Sequence, residues 1–518
     1  GTAGATGTAG ATGTAGVGGK AGAGGGAGGT SGSAGTAGQG AGGFQGTIDL
    51  GNSVLERGKD HQRTAHFVMG NLSKANAAKM ALDATFKATF NGNLSGVPLF
   101  VASSMAGKGM FFAATTNNIV YALDELTGAT IWTKNLGASN HGIISTPVIN
   151  ATARAIYVAS DDNGGPRKHL IHALSIDNGN ELAGWPVDTS TLSVGGYNFN
   201  ATDQNQRGAL SLVGNILYVP YGGYFGDGGN YRGWVVAVDT TNANKAGWAT
   251  GGQQEGIWAA GGMASDGDGV FAITGNNGSR PQNHLDSEEI IRVSGMAVAH
   301  HDNANMFYPG IWSSGMDNGD KDFGSCSPAV IMATGGTPAK MIVAPAKPGH
   351  LYLLDGANLG GLNGQVKDLT VADTGAESVY TAPTVYKSPS GLRLAITTTV
   401  GSACPGGAKD SQIIGIRLDT GANPINPIIE WCAATNGDDE IRRRSPISTT
   451  TDGTANPIVW FMNGSKLNAF DGENGATLYS GGTGADDCGG VHRHTSPIAV
   501  NGRVIVGGNG HLCSWSVH

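Results

Sequence analysis

Charge is scarce in this 518-residue chain: Asp, Glu, Lys and Arg make up 14% of it, and the formal net charge is -8. No run is rich in Lys or Arg, so the electrostatic footprint for nucleic acid or an anionic membrane is missing, and neither is an expected partner. Long apolar runs are missing as well. No stretch reaches 18 apolar residues, which excludes a helical membrane span. The five cysteines, Cys326, Cys404, Cys432, Cys488 and Cys513, form neither CxxC nor CxxCH, which excludes zinc-ribbon and c-type haem readings. In an oxidising compartment Cys404 with Cys432 and Cys488 with Cys513 are the expected pairs, each within one blade or between neighbouring blades of the repeat described below, with Cys326 free. The alternative is five buried thiols acting as small apolar residues.

What the chain has in abundance is glycine, 88 residues of it. With so little charge, that content argues for short strands and many turns, hence an all-β fold. Residues 1–43 are almost wholly Gly, Ala and Thr, with Lys20 the only charge and no aromatic. They cannot bury enough apolar area to offset ordering entropy and read as a disordered tether. The chain starts at Gly1 rather than Met, which suggests that a targeting segment or an expression leader has been left out. The tail is similar to the spacer behind the lipidated cysteine of bacterial surface lipoproteins, so an extracellular, surface-anchored or periplasmic location is expected. Residues 44–83 read as a lead-in, with a short helix in LSKANAAKMALD capped by Ser73.

A repeat near 50 residues then fills positions 84–518, a period that points to a propeller or array. Six strands start behind a proline: Pro98, Pro147, Pro328, Pro383, Pro446 and Pro497. Two further starts, near Leu210 and Gly262, lack it, which makes eight. A second landmark closes a strand with Ala-x-Asp, as in Ala122-Leu123-Asp124, Ala237-Val238-Asp239 and Ala469-Phe470-Asp471. Each unit reads as about four alternating strands between Gly/Asn/Asp turns. The last unit is one strand short, and residues 84–90 (ATFKATF) are expected to supply it, closing the ring and removing an open sheet edge.

In YALDELTGATIW the spacing of Ala122, Asp124, Gly128 and Trp132 resembles the tryptophan-docking motif of quinoprotein propellers, and Ala469, Asp471, Gly475 and Tyr479 repeat it in part. From about residue 60 onward the chain resembles that quinoprotein-like (PQQ-like) family, with echoes of its alcohol dehydrogenases. The echoes are Gly222-Gly223-Tyr224-Phe225-Gly226 leading to Arg232–Asp239, the Trp258 segment GIWAAGGMASDGDG, and Thr274-Gly275-Asn276. The resemblance implies an eight-bladed β-propeller with four-stranded antiparallel blades, and a site for PQQ and calcium with Asn276 as a metal ligand. Tyr224, however, stands where those enzymes carry a glutamate, and a neutral phenol is a poor ligand for a hard cation. The adjacent cysteine pair and any haem-attachment motif are also absent. Asp286, Glu288 and Glu289 lie roughly where a catalytic carboxylate follows TGN; the competing reading is of exposed loop acids.

The residue three before each strand-start proline faces one mouth of the channel. Read across the blades, with the two proline-free ones placed by alignment, the ring is Ser95, Ile144, Arg207, Ala259, Ser325, Tyr380, Arg443 and His494. Trp258, Cys326, Arg444, His492 and Arg493 adjoin it. Arg207, Arg443, Arg444 and Arg493 suit an anionic ligand held by paired hydrogen bonds, with Trp258 stacking on it; alternatively they bridge blades by bonding loop carbonyls and acids such as Asp438, Asp439 and Glu440. His141, His492 and His494 form only a weak transition-metal pattern. The expectation is therefore a monomeric propeller that binds a surface protein or a small anionic ligand at the mouth, without a cofactor. The alternative is a PQQ- and calcium-dependent alcohol dehydrogenase with a diverged site: Trp258, Arg207, Arg443, Arg444, Tyr380 and His494 around the quinone, Asn276 on calcium, and Glu288 or Asp286 as base.

Overall fold

Proline marks where six blades begin. In the computed structural model the innermost strands start at Leu99, Val148, Ala329, Thr384, Ile447 and Ile498, each directly behind one of those prolines. The two proline-free blades start with the short strands Ser211–Val213 and Ala264–Ser265. The structure describes residues 44–518 except 225–227, 280–282, 400–402, 406–410, 435–439, 441–442 and 482–485; the tether expected for residues 1–43 lies outside the described residues. The described residues fall in one unit, 40–518, whose sheets form an eight-bladed β-propeller.

Blade contacts explain the recurring residues. Asp124 accepts hydrogen bonds from the Leu126 and Thr127 amides and the Thr127 hydroxyl, which fixes the turn after the third strand. Trp132 reaches into the next blade, donating from Nε1 to Ile176 O at 2.9 Å. There it packs on Gly179, where a Cβ would lie 2.6 Å from the indole and φ is +71°. Trp431 repeats the arrangement on Gly475 and Gly472 O. Glycine is needed at these turns because both the space and the backbone conformation exclude other residues.

The ring closes close to, but not at, the expected segment. Met80–Leu82 pairs antiparallel with the last strand, Asn509–Val517, Met80 opposite Val517, and Thr89–Asn93 pairs with the other end of that strand. Residues 83–88 between them are not strand, because Asp83 accepts hydrogen bonds from the amide and hydroxyl of Thr85 and bends the chain. Ahead of this seam Lys74–Ala77 is helical, and the Ser73 side chain caps it as expected.

The lead-in does more than precede the propeller. Ile48–Val54 runs antiparallel to the innermost strand of the first blade, Ile48 opposite Ser103, and His66–Val68 runs parallel to that of the seventh, His66 opposite Ser448. Between them, residues 55–65 supply carbonyls to one blade after another: Leu55 to Ile149 N–H, His61 to Ser265, Gln62 to Val330, Thr64 to Val385 and Ala65 to Ser448. Arg63 reaches the third and fourth blades through Leu210 O and Met263 O, and Arg57 reaches His494 O of the eighth. All eight blades are touched. The segment is a plug in the channel, satisfying inward-facing backbone groups that would otherwise need water.

Two disulfides, Cys404–Cys432 and Cys488–Cys513, match the expected pairing, and Cys326 is free and buried. No helix among the described residues is long and apolar enough to cross a membrane.

Candidate functional site at the channel mouth

At the loops that lead into the innermost strands lies a cavity of about 190 Å³ whose lining includes Arg207, Tyr224, Trp258, Asp322, Lys347 and Arg443. Its position follows from the repeat. Arg207, Trp258, Tyr380 and Arg443 come just before the innermost strands of four blades, so the fold gathers them around one axis, and Tyr380 also lines the cavity. The plug meets the same ring of loops through Arg57, whose Nη2 donates to His494 O at 3.2 Å and lies 3.5 Å from Ser445 Oγ.

Two arginines lie on aromatic faces. The Arg207 guanidinium is 4.6 Å from the Trp258 ring centre, with Nε donating to Trp258 O at 2.9 Å. The Arg443 guanidinium is 4.4 Å from the Tyr380 ring, and its Nε is 3.1 Å from Glu440. Arg493 lies 4.0 Å from the same Glu440, and Arg444 is buried. Part of the blade-bridging alternative therefore holds, through Arg207 on the Trp258 carbonyl and Arg493 beside Glu440; Asp438 and Asp439 lie outside the described residues. Burial and then the positive field of Arg493, Arg207 and Arg444 push the His492 pKa down to about 4. The buried His494 is held well below the ordinary imidazole range by burial, then by Arg207, His492, Arg443 and Arg493. Both are neutral at physiological pH, which leaves this wall cationic through its arginines alone.

The cavity lining also includes residues that sequence reasoning missed. Lys347 Nζ lies 3.0 Å from Asp322 Oδ2, 2.9 Å from Glu377 Oε1 and 3.8 Å from Asp320 Oδ1. Burial opposes its charge, but Asp322, Tyr380, Glu377 and Asp320 outweigh that and raise its pKa above the ordinary lysine value. Asp322 Oδ1 also accepts the Asn276 amide at 3.1 Å. These groups sit on loops, Asp320 and Asp322 ahead of Ala329–Met332 and Lys347 just after Lys340–Ala346. No motif announces them; the one available signal is their place beside strand ends that the repeat defines.

The predicted acids lie elsewhere. Glu288 is fully buried, accepting the Phe323 amide through Oε2, and burial with repulsion from Asp322 raises its pKa well above the ordinary value. Asp286 accepts the Gly251 amide at 2.6 Å and His301 Nε2 at 3.0 Å. Neither they nor Glu289 line the cavity, and none is an exposed loop acid. The histidines of the weak metal pattern are likewise separated in role: His141 packs on Tyr224, His492 bonds Ser95 at 3.1 Å, and His494 lies beside His492.

Asn276, Asp322 and Tyr224 converge near the cavity, so the fit of a calcium-bound quinone can be judged. Asp322 is already paired with Lys347. The Tyr224 ring has the Arg167 guanidinium 4.6 Å above it, and its buried hydroxyl has no hydrogen-bond partner among the described residues. The carboxylates of the cavity, Asp320, Asp322 and Glu377, all surround the Lys347 ammonium, and carboxylates already neutralised by a buried lysine do not suit Ca²⁺, which takes six to eight oxygens with carboxylate charge among them. A face of Trp258, the expected quinone platform, is taken by Arg207. These residues do not fit the metal–quinone pair.

Comparisons with known proteins agree with the architecture. Residues 83–283 match the family described as outer membrane protein assembly factor BamB, a PQQ-repeat family. No curated protein matches the chain in sequence. Among solved structures, the quinohemoprotein alcohol dehydrogenase of Comamonas testosteroni is 15% identical with a TM-score of 0.56, over 90% of this chain and 80% of that one. The quinohemoprotein alcohol dehydrogenase ADHIIG of Pseudomonas putida HK5 is 13% identical with a TM-score of 0.63, over 90% and 80%. A europium-containing methanol dehydrogenase is 15% identical with a TM-score of 0.58, over 88% and 90%. The protein thus has the fold of an eight-bladed β-propeller, and over residues 83–283 it is similar to a PQQ-repeat family. At these identities the likeness is one of fold, and function rests on the site.

Proposed function

We propose that this protein is a binding module that holds a small carboxylate- or phosphate-bearing ligand at the mouth of its plugged channel, without a cofactor. The observation that carries the reading is the cavity with Arg207 stacked on Trp258 and Arg443 stacked on Tyr380. Stacking fixes each guanidinium plane, so its N–H edges are oriented before a ligand arrives, and less entropy is lost per hydrogen bond formed. The orphaned Tyr224 hydroxyl at the same cavity suits a polar ligand atom. Two disulfides favour an extracytoplasmic setting. There the propeller acts as a monomer, presented on its Gly-rich tail at the cell surface or secreted.

Calorimetric titration with citrate and with a sugar phosphate tests this. Saturable binding that weakens about 10- to 100-fold in Arg207→Gln or Arg443→Gln is expected, the range for losing a charge-assisted hydrogen bond. Absence of anion binding, or binding indifferent to both substitutions, rules it out. The diverged-dehydrogenase reading requires instead that quinone and calcium bind together and that alcohols are oxidised.

A further inference from the structure

Behind Trp258, away from the mouth cavity, lies a group of buried acids that nothing in the anion site uses. Among the described residues, two groups bring three metal-ligating atoms within 4.8 Å of one another. In the first, Cys488, His511 and Cys513, the thiols are joined as a disulfide. The second is Asp286, Glu289 and His301.

Glu289 has no solvent exposure, and neither of its carboxylate oxygens accepts a hydrogen bond from the described residues. The nearest cationic candidate, His284, has Nε2 3.8 Å from Glu289 Oε2. That nitrogen is already engaged, donating to Ser287 O at 2.9 Å. Nearby Glu255 is also fully buried, receiving the Gly252 amide at 2.8 Å and the Asn277 side-chain amide. Asp286 is 7% exposed. Three carboxylates therefore share one buried region, and the ring that pairs with Asp286, His301, provides at most one positive charge. Such a group is tolerated when it is neutralised by protons or by a metal ion.

We propose that Asp286, Glu289 and His301 form a binding site for a divalent first-row transition-metal cation such as Zn²⁺ or Mn²⁺. Carboxylate with imidazole is the donor set these ions accept, whereas Ca²⁺ and Mg²⁺ prefer oxygen alone. Ligand atoms stand about 2.0–2.2 Å from zinc, so atoms within 4.8 Å of one another need only small side-chain adjustments to surround it. The His301 side chain is 48% exposed, which gives an ion a way in from solvent. Glu255, held by Asn277, stands by as a further carboxylate.

The test uses the full chain after treatment with chelator, titrated calorimetrically with ZnCl₂ and with MnCl₂ in two buffers of different ionisation enthalpy. One equivalent of at least one ion should bind with release of protons, and Glu289→Gln and His301→Ala should each weaken binding at least tenfold. Without metal, Glu289→Gln should melt at or above the wild-type temperature, since the substitution removes a buried carboxylate. Should Glu289→Gln fail to fold, His301→Ala, at a half-exposed side chain, decides alone. The proposal is overturned if the wild type binds neither ion saturably, or if the testable variants bind as tightly as the wild type.

Discussion

Removing the Arg63 side chain tests whether the lead-in truly plugs the channel. Arg63 is 2% exposed. It donates to Met263 O at 3.0 Å, Leu210 O at 2.9 Å, Arg57 O and Ser211 Oγ at 2.6 Å, and Glu56 Oε2 at 2.8 Å. Arg63→Ala leaves Glu56 buried without its cation and strands several carbonyls, and breaking a buried ion pair costs about 3–5 kcal/mol. Unfolding entropy near 2.1 cal/mol/K per residue gives about 1 kcal/mol/K for a propeller of this size, so the melting temperature should fall by about 3–5 °C. Scanning calorimetry on the wild type, Arg63→Ala, Glu56→Gln and the double variant reads this. Burial already raises the Glu56 pKa despite Arg63, so adding Glu56→Gln to Arg63→Ala should recover part of the loss. A melting temperature within 1 °C of wild type for Arg63→Ala would refute the reasoning.

Trp132→Ala empties the wedge against Gly179 and loses the bond to Ile176 O; a cost of about 3–5 kcal/mol is expected by denaturant unfolding. Replacing Cys404 and Cys432 with serine opens a link of 28 residues and should cost about 3–4 kcal/mol in the chain-entropy picture, read as a lower unfolding midpoint than that of the oxidised wild type. His492 has a folded pKa of about 4, below its ordinary 6.5. Its contribution is therefore complete above pH 6.5 and is lost as pH falls from 6.5 through 4, by about 1–3 kcal/mol; His492→Asn should flatten the stability profile in that window and leave it unchanged above pH 7.

The blades were legible because proline and Ala-x-Asp recur at fixed places in each unit, and a proline ahead of Leu99 or Ile498 has one structural meaning. The disulfide partners followed from the same frame. The closing strand shifted from 84–90 to 80–82 and 89–93 because a local bond, Asp83 to Thr85, overrides the strand pattern of ATFKATF. The plug was illegible for a different reason. Residues 55–65 carry no hydrophobic period; their order comes from backbone partners on the blades around them, contacts that local sequence does not encode. At the site, ring positions were readable from the repeat, and Arg207, Trp258, Tyr380 and Arg443 do line one cavity. Asp322 and Lys347 come from loops whose course depends on the finished fold, and Asp286, Glu288 and Glu289 were visible as charges but not as buried ones.

The most direct test of the anion-binding account is equilibrium binding of the quinone itself, since PQQ carries several carboxylates, measured by absorbance after gel filtration with and without calcium. The account predicts weak quinone binding at most, unchanged by calcium, diminished by Arg207→Gln, and with no alcohol-dependent reduction of an artificial electron acceptor. Calcium tightening quinone binding tenfold or more, with alcohol oxidation by the wild type, would contradict it.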